Sequence, residues 1–170
     1  MSDIGDALWN EAVGPSNYAE SHDRYQQAML EQYKLCVEMA DRVSARRNLT
    51  NTFFLSLNSA VAAVVAAVSG RTLADAPVLL LVAGLVILVA QCVAWFVIVR
   101  SYRQLNSAKW AVIGAFEERL PAYAYSRAEW GALSGGNDWR KYLPLTHVEQ
   151  WVPVIFSASY IVGFCTLVAL

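Results

Sequence analysis

Asn48-Leu49-Thr50-Asn51-Thr52-Phe53-Phe54-Leu55-Ser56-Leu57-Asn58-Ser59 opens a charge-free run that continues as AVAAVVAAV to Gly70. Arg47 precedes the run and Arg71 follows it. A helix needs ~20 mostly apolar residues to cross the hydrocarbon core of a bilayer, and this run exceeds that length. A second charge-free run lies between Asp75 and Arg100, and a third extends from Gln150 to Leu170. Only the segment Arg71 to Asp75 separates the first two runs, so they read as a membrane hairpin. The flanks outside the hairpin keep a helical pattern and carry the charge. The fold class expected is therefore an all-α membrane protein: a long antiparallel helical hairpin with a cytoplasmic stalk, plus a third transmembrane helix.

Composition agrees. The chain of 170 residues is 56% hydrophobic and 16% charged, and a soluble domain carries about 25% charge. The charges sit outside the three runs. A net charge of −1 lacks the concentrated basic face that nucleic-acid binding requires, so no nucleic-acid partner is expected. Cys36, Cys92 and Cys165 are far apart and odd in number, which excludes a disulfide framework or a zinc motif. The first run begins after a long charged segment, unlike a cleavable signal peptide.

The expected organisation follows from the breakers. Residues 1–16 form an acidic, glycine-containing arm, expected to be mobile, although Leu8, Trp9 and Val13 offer docking groups. Residues 17–47 form an amphipathic stalk helix, opened by the capping-box sequence Asn17-Tyr18-Ala19-Glu20. Its apolar stripe is Tyr25, Met29, Tyr33, Cys36, Ala40 and Val43, at steps of three and four. Glu31–Lys34, Lys34–Glu38 and Glu38–Arg42 are spaced to pair on its exposed side. At ~1.5 Å per residue such an arm is roughly 45 Å long.

Residues 48–70 and 76–100 form the first two spans, with Pro77 suited to a first turn. Residues 101–120 continue as a second stalk helix through Tyr102, Leu105, Ala108, Val112, Phe116 and Leu120, ended by Pro121. The two apolar stripes pack against each other or against another subunit. Residues 121–149 form a connector, with a short helix expected at Tyr123–Leu133 and a turn at Ser134-Gly135-Gly136-Asn137. Thr146-His147-Val148-Glu149 is a second capping box before the third span, 150–170. The chain is expected to end at or near the far interface with no extracytoplasmic domain.

Basic flanks set the orientation. Arg42, Arg46 and Arg47, then Arg100, Arg103 and Lys109, then Arg127, Arg140 and Lys141 all lie on one side, and Arg71 alone on the other. The N-terminus is therefore expected in the cytoplasm of a bacterial cell, the C-terminus outside it, and the protein in the inner membrane. Trp130, Trp139 and Trp151 are expected at the lipid–water interface, where indoles are favoured.

Nothing in the chain suggests catalysis. His22 and His147 have no carboxylate or cysteine partner at ligand spacing, and no phosphate-binding glycine loop or nucleophile elbow occurs. An enzyme, a cofactor and a metal are not expected. The informative polar residues lie inside the spans. Asn51 and Asn58 are seven apart and share a face, Ser59 adjoins Asn58, and Gln91 is the lone amide of the second span. These groups either bond helix to helix or line an aqueous path in an oligomer. The charge-free spans argue against a proton-coupled transporter or a voltage sensor. In the stalk, Tyr33, Glu38, Arg42, Lys109 and Glu117 are candidates for pairing across the two helices or for meeting a partner.

Several stretches together resemble a known family. They are Tyr33-Lys34-Leu35-Cys36-Val37-Glu38-Met39-Ala40-Asp41-Arg42, Arg46-Arg47-Asn48-Leu49-Thr50-Asn51-Thr52-Phe53-Phe54-Leu55 and Tyr102-Arg103-Gln104-Leu105-Asn106-Ser107-Ala108-Lys109. Glu117-Glu118-Arg119-Leu120-Pro121, Glu129-Trp130 and Leu145-Thr146-His147-Val148-Glu149 follow. Over roughly residues 25 to 155 the chain resembles bacterial SLATT-like small integral membrane proteins, two-helix effectors of nucleotide-sensing conflict systems. The resemblance implies pore formation or membrane disruption that arrests an infected cell, with the trigger sensed by a soluble partner or a nucleotide-signalling protein. The third span and the absence of a fused sensor depart from that pattern.

Two functions follow as expectations. One is a homo-oligomeric inner-membrane effector, a pore in an antiphage system, driven by a stalk rearrangement passed along continuous helices. The other is a non-conducting membrane scaffold whose cytoplasmic stalk recruits a soluble partner.

Overall fold

The computed structural model describes residues 4, 8–18, 22–68, 76–138, 140–142 and 145–169, without the side chains of His22, Val68, Leu145, Thr146 and His147. Helix makes up 86% of the described residues, among which no strand occurs. Three long helices dominate: α1 at His22–Val68, α2 at Val78–Glu117 and α3 at Leu145–Ala169. Each is long and apolar enough to cross a membrane. The hairpin segment with Arg71 and Asp75, and Trp139 of the connector, lie outside the described residues.

Contacts divide the chain into two compact units. The stalk unit comprises residues 1–45 and 104–143; the membrane unit comprises 46–103 and 144–170. The hairpin is antiparallel in each. In the stalk unit Tyr33 of α1 meets Glu117 of α2. In the membrane unit Asn51 meets Trp95 and Asn58 meets Cys92. Ala40, Val43, Ile113, Ala115 and Phe116 are buried in the stalk unit, and Asn58, Cys92, Trp95, Val99 and Pro153 in the membrane unit. Ala40 and Val43 belong to the expected stripe of the first stalk helix, and Phe116 to that of the second.

The ends of the elements differ from the sequence expectation. Pro15–Asn17 forms a 3-10 turn, and Tyr18 after it is extended. Asn17 Oδ1 accepts the backbone N–H of Gly14 at 2.8 Å; Ala19 and Glu20 of the expected capping box lie outside the described residues. The second stalk helix stops at Glu117, short of Leu120. Arg119 N–H bonds the Phe116 carbonyl and Leu120 N–H the Glu117 carbonyl, tightening the chain into a turn before Pro121. The expected short helix over 123–133 is a π-helical stretch, Ala124–Glu129, followed by one α turn, Trp130–Ala132. Gly135 and Gly136 both have positive φ, and a Cβ at Gly136 would approach the Trp130 ring at 3.3 Å. Glycine there serves both the left-handed turn and the close approach of the indole.

The third helix begins near Leu145, earlier than residue 150, and contains Pro153. That proline withholds the bond its N–H would give the Glu149 carbonyl, a loss that a packed membrane helix tolerates. The N-terminal arm is docked at Trp9. Its ring meets Phe116 edge-on at 5.3 Å, and the Arg119 guanidinium lies 3.7 Å from its centroid.

Candidate functional site

Lipid gives apolar helices little reason to associate, so membrane helices rely on close packing and on hydrogen bonds between them. Asn58 supplies those bonds here and is wholly buried. Its Nδ2 donates to the Phe54 carbonyl one turn back at 2.8 Å. Its Oδ1 accepts the Tyr160 hydroxyl at 3.0 Å and the Cys92 thiol at 3.6 Å. One amide thus joins all three helices. One face-length away, Asn51 Oδ1 accepts the indole N–H of Trp95 at 3.0 Å. Trp95 is itself buried, stacked on Phe54 at 5.7 Å and tilted against Phe156 at 6.2 Å. Phe156 in turn meets Tyr160 at 6.2 Å.

The two asparagines therefore share a face, as their spacing requires, and that face is turned inward. Of the two uses expected for this face, the bonds of Asn51 Oδ1 and of Asn58 within the protomer are those between helices. Ser59 is exposed and takes no part in the cluster. Gln91, beside Cys92, has a buried Nε2 without a hydrogen-bond partner. Trp95, Phe54 and Phe156 complete the cluster and were not singled out by the polar pattern. The signal available was helical spacing: Phe54 stands three residues after Asn51, and Trp95 four after Gln91, each on its neighbour's side of the helix.

A second polar face of α1 remains open. At 100° per residue, Asn48, Thr52 and Ser59 fall on one side with Ala63 and Ala66, all exposed. Thr52 donates to the Asn48 carbonyl at 3.0 Å, the local bond that satisfies a hydroxyl inside a helix.

At the N-terminal end of α3 two further contacts join the helices. Arg47 Nε stands 3.4 Å from Glu149 Oε2, with both side chains largely buried. The contact is electrostatic and lacks hydrogen-bond alignment, since neither atom has a hydrogen-bond partner. Arg103 Nη1 donates to Gln150 Oε1 at 3.2 Å. Arg47 was expected as an orientation anchor; it also has a carboxylate to meet. Trp151, next in sequence, is 64% exposed, and Trp130 of the stalk unit 49%.

The stalk unit is organised by Glu117. Its carboxylate is fully buried, at the end of α2 where the helix dipole disfavours negative charge. Four donors offset that cost. The backbone N–H groups of Tyr125 and Ser126 donate at 2.8 Å each, the Ser126 hydroxyl at 2.5 Å, and the Tyr33 hydroxyl at 3.1 Å. The two amides belong to the first turn of Ala124–Glu129, whose N–H groups have no partner within that turn. Burial alone would raise this carboxyl; the bonds from Ser126, the two amides and Tyr33 outweigh it and hold it below the usual range. Burial first, and then the bond to Glu117 and its charge, push Tyr33 up to about 12.

The remaining stalk candidates separate. Glu38 pairs with Arg42 one turn along at 2.6 Å, on the exposed side of α1, and Lys34 with Glu31 at 2.8 Å. Cross-helix pairing of Glu38 is therefore replaced by a local ion pair. Lys109 lines a groove of about 310 Å³ with Leu35, Cys36, Met39, Ala108 and Val112. Tyr125 and Ser126 could not be linked to Glu117 from sequence, because no periodicity spans the intervening turn.

The sequence profile of the octameric membrane protein family (8xMP) matches residues 30–169. The match covers most of the chain, including α1 from residue 30 onward, all of α2 and all of α3, and the chain belongs to that family. It is an oligomeric membrane protein. Comparison with curated proteins and with solved structures returned no match.

Proposed function

We propose that this member of the octameric membrane protein family works as a homo-octamer of the bacterial inner membrane, with its stalk in the cytoplasm, and that the assembly conducts. The role is non-catalytic. The observation that carries the reading is the exposed, charge-free polar face of Asn48, Thr52 and Ser59 on α1. Eight copies around an axis need a face toward that axis, and this one is small, uncharged and bonded only along its own helix, through Thr52 to the Asn48 carbonyl. It replaces Asn51 and Asn58 as the lining of the path. The basic flanks support the orientation. The resemblance to SLATT-like effectors supports a further step, arrest of the infected cell on a cue from a soluble or nucleotide-signalling partner.

The experiment is dye release from liposomes holding the purified octamer. The parent protein is expected to release a small fluorophore, and Ser59→Leu to abolish release while octamer yield is kept. Dye-tight vesicles containing a correctly sized octamer would overturn conduction. That outcome favours the second reading, a non-conducting scaffold that presents eight stalks to a soluble partner. Its supporting observation is that Asn51 and Asn58 of the first span bond α1 to α2 and α3.

A further inference from the structure

We infer that the groove of the stalk unit receives the stalk of a neighbouring copy, on the opposite edge of α1. This deepens the homo-oligomer reading and rests on it. The groove is floored by Cys36 and walled by Leu35 and Met39 on α1 and by Ala108, Lys109 and Val112 on α2. Leu35 is 58% exposed and Met39 46%. Leu105, one turn before Lys109 and likewise exposed, extends the apolar strip along α2. This is a continuous oily seam outside any bilayer-spanning run, and water is a costly neighbour for it.

The occupant follows from the rest of α1. At ~100° per residue, Leu30 and Val37 share a side of the helix that lies roughly opposite Leu35 and Met39. Leu30 is exposed, and Val37 is partly so. Between these edges, one flank carries Cys36, Ala40 and Val43 toward α2. The other carries Glu31, Lys34, Glu38, Asp41 and Arg42, with Lys34 paired to Glu31 and Arg42 to Glu38 along the helix. The stalk thus has two apolar edges and one solvated back.

A closed ring of identical chains joins unlike patches head to tail, each copy using one patch for each neighbour. Two apolar edges on opposite sides of one helix are the arrangement such a ring needs. A single self-complementary patch would have suited a two-fold dimer instead. Rotation about an axis along the helices keeps equal levels together, so Val37 of one copy meets the groove at Cys36 and Ala108 of the next.

The test uses the whole protein in mild detergent, with Cys36→Ser and Cys165→Ala removing the accessible thiols. One variant adds Ala108→Cys and Val37→Cys; a control adds Ala108→Cys and Lys34→Cys, on the solvated back. Particle mass is measured before mild oxidation, and denaturing gels are run after it. The Val37 pair is expected to shift most of the chain into a ladder of covalent multiples, and the Lys34 pair to leave it at one chain. No ladder, or equal ladders, from a particle of oligomeric mass overturns the interface and spares the homo-oligomer. A parent particle of one chain's mass overturns the homo-oligomer reading itself.

Discussion

Glu117 shows how much one side chain settles. It stands at the wrong end of a helix dipole and out of water, and only its four donors make it tolerable. Replacing it with Gln keeps the shape but turns an NH₂ toward some of those donors. Glu117→Gln is expected to cost about 1–3 kcal/mol, the penalty for leaving buried donors unmet. Hydrogen exchange at the Tyr125 and Ser126 amides reads it directly, and unchanged protection there would refute the assignment. The pH dependence has two limits. The folded carboxyl lies below its unfolded value, so its contribution is complete above the unfolded pKa and disappears as pH falls through the folded one. The Tyr33 phenol lies above its unfolded value, at about 12, so its contribution is complete below the unfolded pKa and is lost as pH climbs toward 12. Tyr33→Phe should therefore flatten the alkaline limb of a stability–pH curve while leaving an acid limb. Tyr33 and Glu117 were visible in the sequence as stalk candidates. Their bond was not, because it depends on where α2 stops, and α2 stops three residues before the apolar stripe does.

Among the elements, α3 belongs to the membrane unit as fully as the hairpin does. It brings Tyr160 to Asn58, Phe156 to Trp95, Glu149 to Arg47 and Gln150 to Arg103. Its length and lack of charge were legible in the sequence as a third span, but its purpose was not. Charge-free runs announce themselves by composition; which face of a run meets which neighbour depends on packing that composition does not encode. The same limit explains the asparagines. A spacing of seven fixed that Asn51 and Asn58 share a face, and it was silent on whether the face looks in or out. Tyr160→Phe removes only the hydroxyl that links α3 to Asn58. A bond between membrane helices contributes about 0.6–2 kcal/mol, and a loss of that size is expected on unfolding in mixed micelles. Truncation before α3 should do more, exposing Cys92, which is 2% accessible in the intact unit, to a lipid-soluble maleimide. A truncated chain in which Cys92 stays protected would show that the hairpin alone builds this core.

At the level of the whole molecule, α1 and α2 each contribute residues to both units, and this raises the question of whether the units sense each other. Their polar networks draw on separate residues. Glu117 bonds Tyr33, Tyr125 and Ser126, whereas Asn58 bonds Phe54, Cys92 and Tyr160. Changes that share no partner add, usually within about 0.5 kcal/mol. A signal carried from stalk to span along continuous helices would instead appear as a coupling energy. The double-mutant cycle of Glu117→Gln with Asn58→Leu separates the two. In equilibrium unfolding the pair is expected to be additive, because neither substitution removes a group the other relies on. Conduction is a different quantity, since it compares two states of the assembly and not folded with unfolded. If the stalk drives the path, Glu117→Gln should change dye release from octamer-bearing liposomes even though it lies in the stalk unit, while the stabilities remain additive. Additive stability with unaltered release would mean that the stalk unit holds the copies together and takes no part in opening them.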